Sequence, residues 1–400
     1  QTVLAKSYNL LDIIRMAVDY LYQTSTLPET ILQFGSGKFL RAFVEYFVHE
    51  ANIEGQEVGR IVVVQSTGRE RSDAINRQKG RYQVLVRGIQ RGEPVDERVV
   101  IESISRAIYS GTDWDAVLDT MACDSIRYII SNTSEVGYNL SDSDGLSDAP
   151  PDSFPAKLLQ VLHTRYEGSH AAITVIPCEL IDENAHQLRQ IVADLARRWR
   201  LSPLFIDWMH TEVTWLRTLV DRITIDPPED HPQLSTDPLL TITEPFAFWA
   251  LERHPQSDVF LNHHAMIQTD DVKPYALRKV RVLNGAHTAL VCRAMPMGIQ
   301  TVKEAMEHPD VGRWIREVLF TEIIPALPNE VESPVIFAEN CIERFLNPYL
   351  NHHLRAIAFE HDTKVKVRLV PTYNAYIEKF GHAPPLLHEI MGDYASESGN

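Results

Sequence analysis

The chain has 400 residues, 44% hydrophobic and 23% charged, a globular composition with too much sequence for one small core, so two domains are expected. A net charge of −16 argues against a nucleic-acid groove or an anionic membrane surface as partner, and makes any anionic ligand dependent on a local positive patch. The four cysteines, Cys123, Cys178, Cys292 and Cys341, show no Cys-x-x-Cys spacing, which predicts reduced, buried thiols in a cytoplasmic protein rather than a disulfide frame or a zinc cluster.

No apolar run approaches the roughly 20 residues of a membrane helix. Residues 10–21 are apolar at helical spacing but are interrupted by Asp12, Arg15 and Asp19. They read as an amphipathic helix or a leader rather than a signal peptide. The first strong element is the strand Thr30-Ile-Leu-Gln-Phe34, running into Gly35-Ser36-Gly37 and then a helix expected over residues 42–51. That is the order of a dinucleotide-binding βα unit, in which glycines let the backbone approach a pyrophosphate. Leu40 stands where the third glycine of the usual fingerprint belongs.

Residues 60–65 form a continuous β-branched run, as a buried parallel strand should. It ends in Gln65 where an NAD-binding strand usually ends in Asp or Glu, so a neutral amide is expected at the ribose; Arg69 nearby would favour a 2′-phosphate. Residues 83–88 and 97–103 alternate and predict an antiparallel insertion. Residues 127–131 predict another buried strand, ending in the polar cluster Asn132-Thr133-Ser134-Glu135, where ligands sit in open α/β sheets. Residues 141–154 read as a surface loop, and residues 172–176 as a strand leading into Pro177-Cys178-Glu179-Leu180. The proline-rich stretch Asp226-Pro-Pro-Glu-Asp-His-Pro232 is the expected joint. The fold class is therefore α/β: a Rossmann-type parallel-sheet domain over residues 25–230, then a mostly α-helical domain over residues 231–400. Helices are expected at residues 245–252, 301–308, 311–324 and 336–345, besides the stretch considered next.

Residues 278–290 read Arg-Lys-Val-Arg-Val-Leu-Asn-Gly-Ala-His-Thr-Ala-Leu. On an α-helix, with roughly 100° per residue, Lys279, His287 and Asn284 fall at about 0°, 80° and 140°, one broad arc. A lysine whose pKa is lowered by burial can take an alkoxide proton, an asparagine amide can stabilise the developing oxyanion, and an imidazole can hold a hydroxyl. A solvated Lys279 and a hydrogen-bonded core His287 are the alternative. The pairs His263-His264 and His352-His353 point to different faces and no His-Glu-x-x-His spacing occurs, so no metal is expected.

Lys-x4-Asn-x2-His within Leu283-Asn-Gly-Ala-His-Thr-Ala-Leu290 resembles the signature of the polyol-specific long-chain dehydrogenase (mannitol dehydrogenase) family. Gly35-x-Gly-x-Phe-x-Arg-Ala42 and Arg344-Phe-Leu-Asn-Pro348 are similar to two further family elements, and Pro177-Cys-Glu-Leu-Ile-Asp182 to the wording of its tagaturonate reductase branch. The resemblance runs from about residue 30 to about residue 375, and members of this branch continue into further C-terminal helices. It implies an NAD(H)-dependent, metal-free oxidoreductase that interconverts a keto-uronate and an aldonate, with NADP(H) left open and a small sugar acid as partner. Lys279, Asn284 and His287 are then catalytic, and Phe34, Gly35, Ser36, Gly37, Phe39, Arg41, Gln65, Asn132 and Thr133 hold the cofactor, with Arg41 near the phosphates. Glu135, Asp221, Arg344 and His352 are implied at the substrate. Each has a plain alternative: a capping or surface acid for Glu135, a buried Asp–Arg strut for Asp221, and a helix C-terminal cap for Arg344. Leu180 stands where mannitol dehydrogenases place a second oxyanion asparagine, a departure that argues against a mannitol enzyme. Fructuronate reductase, a polyol 2-dehydrogenase and a non-catalytic redox sensor, with Leu40, Gln65 and Leu180 as signs of decay, remain as alternatives.

Overall fold

The computed structural model describes residues 26–134, 136–255 and 259–391. The amphipathic stretch 10–21, Glu135 and the tail 392–400 lie outside the described residues. The strands in chain order are β1 (Glu29–Phe34), β2 (Arg60–Gln65), β3 (Tyr82–Gln90), β4 (Glu93–Ile101), β5 (Ile104–Tyr109), β6 (Tyr128–Ser131) and β7 (Ile173–Pro177). Then come β8 (Val213–Trp215), β9 (Thr218–Asp221), β10 (Thr224–Ile225), β11 (Thr241–Thr243), β12 (Phe248–Glu252) and β13 (Met266–Thr269).

The principal sheet has the order β5-β2-β1-β6-β7-β8, and all of its pairings are parallel. Counting its members along the chain gives 3-2-1-4-5-6, the dinucleotide-binding order, which reverses between β1 and β6. Its strands are buried on both faces; Ile61, Val62, Val63 and Val64 are each 0% exposed. A β-branched run suits that environment, and helices over both faces are what a parallel sheet requires. Helices Trp114–Ala122, Phe154–Glu167, Asn184–Arg198 and Pro203–Thr211 share an apolar cluster with the strands, including Leu32, Val62, Ile129 and Val175. Ser153 and Ser202 cap two of them with side-chain acceptors, each with a proline in the first turn.

The chain divides into two compact units. The first comprises the described residues of Gln1–Leu85, with Arg98–Ile242 and Ala247–Asp270. The second comprises Val86–Glu97, Thr243–Phe246 and the described residues of Asp271–Asn400. The joint expected at residues 226–232 lies inside the first unit, because β10 and β11 on either side of it are neighbours in the sheet β10-β11-β3-β4. Residues 245–252, expected as helix, contain β12 instead. This short apolar run is ambiguous by itself; antiparallel pairing with β9 (Phe248↔Asp221) and parallel pairing with β13 (Trp249↔Met266) decide it. The expected insertion is the hairpin β3–β4, turned by Arg91 and Gly92 at φ 55° and 79°, the pair of left-handed residues that suits a two-residue hairpin.

The second unit is mostly helical. Lys273–Arg278, a π turn over Lys279–Asn284 and Gly285–Ala294 follow one another without a break. Leu283, Ala286, Ala289 and Leu290 on this run are buried with Trp314, Ile315, Leu319 and Phe345. The expected helices appear as Val302–Glu307, Pro309–Glu317 with a second π turn over Val318–Ile323, and Pro334–Phe345. Among the described residues no helix is long and apolar enough to cross a membrane. Cys178 and Cys341 are buried and Cys292 is half-buried. Cys123 is exposed, against expectation, because it lies just past the end of its helix.

His49, on the helix Val44–Ile53, is 4% exposed, and burial pushes its imidazole down to about 4. The unfolded chain takes up this proton near its ordinary value of about 6.5, so the stability it represents is present above that pH and is lost as pH falls toward 4. The midpoint of urea unfolding is expected to drop between pH 7 and pH 5. His49→Gln, which keeps an acceptor for the Glu102 amide, is expected to flatten that slope by up to about 1.4 kcal/mol per pH unit.

Candidate active site

The site residues fall into two sets, one in each unit. In the first unit, β1 runs straight into the glycine turn at the reversal of strand order. Gly35 has a φ of +116°, and a Cβ there would stand 3.1 Å from the Asn132 carbonyl oxygen and 3.0 Å from Leu40 Cδ1. Glycine is therefore required by both conformation and space. A Cβ on Gly37 would meet nothing within 4 Å, so this side of the turn is open. Leu40, at the place of the missing glycine, is 1% exposed and packs beneath the turn. Phe34 packs on Phe154 at 5.4 Å, Phe39 stacks on Phe43 at 4.8 Å, and Ser36 is buried. A strained glycine with one open flank, at the strand-order reversal, fits a nicotinamide dinucleotide.

Three expectations here are corrected. The helix begins at Lys38, directly after the turn, and is broken between Arg41 and Val44. Arg41 does not reach toward phosphates: it is 5% exposed, and its guanidinium donates to Ser36 O, Leu239 O and Thr241 Oγ1. Gln65 does not offer its amide to a ribose. Its Nε2 donates to Thr67 O at 2.9 Å and its Oε1 accepts from Ser72 N at 2.5 Å, so the side chain organises its own loop. Arg69 pairs with Asp73 at the surface.

The loop after β6 is held by a residue to which the sequence reading assigned no role. Glu179, 3% exposed, accepts from Thr133 N at 2.9 Å and from Thr133 Oγ1, Ser131 Oγ and Tyr138 OH at 3.1 Å each. Burial pushes its carboxyl up, and the bonds from Thr133 and Ser131 pull it down. Asn132 donates to Cys178 O at 2.7 Å. The side chains of Asn132 and Thr133 are thus engaged within the sheet edge, while the Asn132 carbonyl abuts the glycine turn. The only signal for Glu179 was an acid set among apolar residues just after a strand. Leu180 is 61% exposed. Asp221 is 3% exposed at the end of β9, and the adjacent Arg222 donates to Ala42 O at 2.8 Å.

In the second unit, Lys279 opens the π turn and Asn284 closes it. Its i→i+5 bonds put more residues in a turn than the α-helix's 3.6, so residues five apart come round toward one side. The 140° separation expected on an α-helix is thereby reduced. Both residues are half-buried. His287, one α turn on, is 6% exposed and lies 4.4 Å from the Phe345 ring and 4.9 Å, edge-on, from His352. Burial, with His352, Arg344 and Arg368 nearby, holds its imidazole well below the usual range; burial and Arg344 lower His352 as well. Neutral rings both donate and accept, as a hydroxyl partner requires. His287 Nε2 is buried with no hydrogen-bond partner among the described residues, a polar atom that a ligand hydroxyl would satisfy.

His352 is pinned by its backbone: its carbonyl accepts from Val302 N at 3.0 Å, and Leu354 N donates to Gln300 O at 2.9 Å. Arg344, 5% exposed over the Phe246 ring, places Nε and Nη2 on Glu244 at 2.9 and 2.8 Å. That edge of the guanidinium is occupied, so a forked grip on a substrate carboxylate cannot use it. Asn347 of the same motif is 1% exposed and donates to Arg87 O at 3.0 Å, and Gly88 alongside has no room for a Cβ, which would stand 2.7 Å from Asn347 Nδ2. The motif's asparagine thus anchors the β3–β4 hairpin, which sequence reasoning missed. Glu244→Gln leaves the buried Arg344 cation without its counter-charge; chemical denaturation is expected to show a loss of roughly 3–5 kcal/mol.

Sequence comparison adds to this geometry. Residues 29–262 match the mannitol dehydrogenase Rossmann domain and residues 271–394 the mannitol dehydrogenase C-terminal domain. The chain is 38% identical over 377 residues to the altronate oxidoreductase of Bacillus subtilis (strain 168), covering 90% of this chain and 78% of that one. It is 36% identical over 375 residues to that of Klebsiella pneumoniae subsp. pneumoniae, with the same shares covered. A ternary complex of Pseudomonas fluorescens mannitol 2-dehydrogenase with NAD and D-mannitol has the same fold, with a TM-score of 0.74 at 23% identity over 94% of this chain and 80% of that one. D-sorbitol dehydrogenase matches with a TM-score of 0.77 at 23% identity over 88% of this chain and 77% of that one. The chain belongs to the mannitol dehydrogenase family.

Proposed function

We propose that this protein, an oxidoreductase acting on a CH–OH group, interconverts D-tagaturonate and D-altronate with NAD(H). The relatives named altronate oxidoreductase support the substrate class. The observation that carries the chemistry is the π turn that brings Lys279 and Asn284 toward one side, followed by His287 with its buried, unpartnered Nε2.

When bound, the nicotinamide dinucleotide supplies or receives the hydride. In reduction, the Lys279 ammonium gives its proton to the former carbonyl oxygen; in oxidation, the amine takes it back. Asn284 donates its amide N–H to the oxyanion as charge develops, a stabilisation worth a few kcal/mol when the donor is already in place. His287 holds the neighbouring hydroxyl through Nε2, and His352 stands edge-on beside it. Arg344 contributes positive charge at His287, with Glu244 fixing its orientation. Asp221 and Glu135 belong to the proposal as further substrate contacts. Neither contributes to the proton step. On the nucleotide side, Phe34, Gly35, Ser36, Gly37 and Phe39 form the turn, with Asn132 and Thr133 bordering it. Arg41 and Gln65 support the surrounding backbone. Gln65, buried and bonded to Thr67 and Ser72, is compatible with either NAD or NADP, and NAD belongs to the proposal.

Lys279→Ala is expected to lower turnover of tagaturonate by about two to four decades, the scale of general acid–base catalysis, in an assay of NADH oxidation. Unaltered turnover rejects the assignment. Tagaturonate, fructuronate and fructose tested side by side distinguish the proposed activity from a fructuronate reductase and a polyol 2-dehydrogenase. NADH binding without turnover of any keto-uronate identifies a redox sensor instead.

A further inference from the structure

Beneath the glycine turn lies a buried polar cluster that the proton chemistry does not use. Gln33, 0% exposed near the end of β1, donates from Nε2 to Gly35 O at 3.0 Å and to Glu45 Oε1 at 2.7 Å. An amide nitrogen carries two protons, so both bonds form together. Glu45, also 0% exposed, accepts on its other oxygen from Tyr82 OH at 2.5 Å, and Tyr82 OH lies 2.7 Å from Arg41 O. The Arg41 guanidinium in turn donates from Nη1 to Ser36 O at 2.6 Å. Two consecutive carbonyls of the turn, those of Gly35 and Ser36, are therefore gripped by buried side chains.

A trans peptide is planar, with its C=O and N–H on opposite sides. Drawing Gly35 O onto Gln33 points the Ser36 N–H away from that side chain. Drawing Ser36 O onto Arg41 does the same for the Gly37 N–H. Neither amide donates a hydrogen bond among the described residues. Successive backbone N–H groups that turn to the same side form an anion-binding concavity. Gly37, with open space where a Cβ would be, leaves room for an approaching phosphate.

We infer that Gln33, oriented by Glu45, and Arg41 are positioning residues for the dinucleotide pyrophosphate, setting two peptide planes so that their N–H groups face it. Glu45 acts through geometry: it fixes the rotation of the Gln33 amide, and Tyr82 fixes Glu45. The inference rests on the dinucleotide reading of the turn.

The test is NADH titrated into the purified full chain by calorimetry, with steady-state kinetics and circular dichroism alongside. Gln33→Leu is expected to weaken NADH binding about tenfold or more, while kcat at saturating NADH and KM for tagaturonate change far less. A merely structural role would lower stability without this split. Glu45→Gln is the conservative rescue: its carbonyl accepts from Gln33 and its amide donates to the Tyr82 oxygen, whose single proton then turns to Arg41 O, 2.7 Å away. It is expected to bind NADH within about threefold of wild type, whereas Glu45→Leu behaves like Gln33→Leu. If Gln33→Leu does not fold, Gln33→Asn replaces it, since it is one methylene too short to reach both acceptors. A folded Gln33 variant that binds NADH within about twofold of wild type overturns the inference, as does Glu45→Gln losing as much affinity as Glu45→Leu. Wild-type protein that fails to bind NADH overturns the dinucleotide reading itself.

Discussion

A charge or hydrogen-bonding group removed from water must find a partner or it destabilises the fold. In this chain that requirement organises each functional segment. The glycine turn hangs on Gln33, Glu45 and Arg41. The loop after β6 hangs on Glu179. In the second unit, Glu244 sets the direction of Arg344, whose charge helps keep His287 neutral. Each segment is thus held by a small polar cluster packed within its own unit, with few degrees of freedom left to its backbone. Preorganisation of this kind is where binding and catalysis gain most, because the ordering has already taken place before the ligand arrives.

The helix bearing Lys279 illustrates how local backbone geometry redirects side chains. An α-helix would spread Lys279 and Asn284 across its arc. The π turn Lys279–Asn284 gathers them, and regular α geometry resumes at Gly285, so that His287 follows one turn later. A π turn has poorer helical bonding than the α-helix it interrupts, and such turns cluster at functional positions. A second π turn, Val318–Ile323, carries Glu322, whose carboxylate accepts from Leu386 N and Leu387 N at 2.6 and 2.7 Å. There the wide turn serves packing: it delivers a carboxylate to the first amides of a neighbouring helix.

Much of the fold was legible in the residue pattern. Continuous β-branched runs such as Ile61-Val-Val-Val64 announced buried parallel strands, and Gly35-Ser-Gly37 after a strand announced the nucleotide turn. The Lys279, Asn284, His287 spacing in its apolar context announced the family. The reading went astray where a short apolar run, such as residues 248–252, suits helix and strand equally. It also went astray where a proline-rich segment marked a loop between paired strands rather than the domain joint. Arg41 and Gln65 were expected at the cofactor because of their positions in a motif, but a motif does not say which way a side chain turns.

Sequence by itself determined the buried parallel strands, the glycine turn after β1 and the family, because these follow from side-chain patterning, local sterics and motif spacing. Tertiary structure alone decided that Gln65 and Arg41 serve the backbone, that Glu179 and Glu45 are the buried hubs, and that Arg344 is paired with Glu244. The physical reason is that hydrogen-bond partners and desolvation are set by packing and not by spacing along the chain: Arg41 meets Thr241 and Arg344 meets Glu244 across 200 and 100 positions, and even Gln65's near partners, Thr67 and Ser72, depend on how the loop folds back.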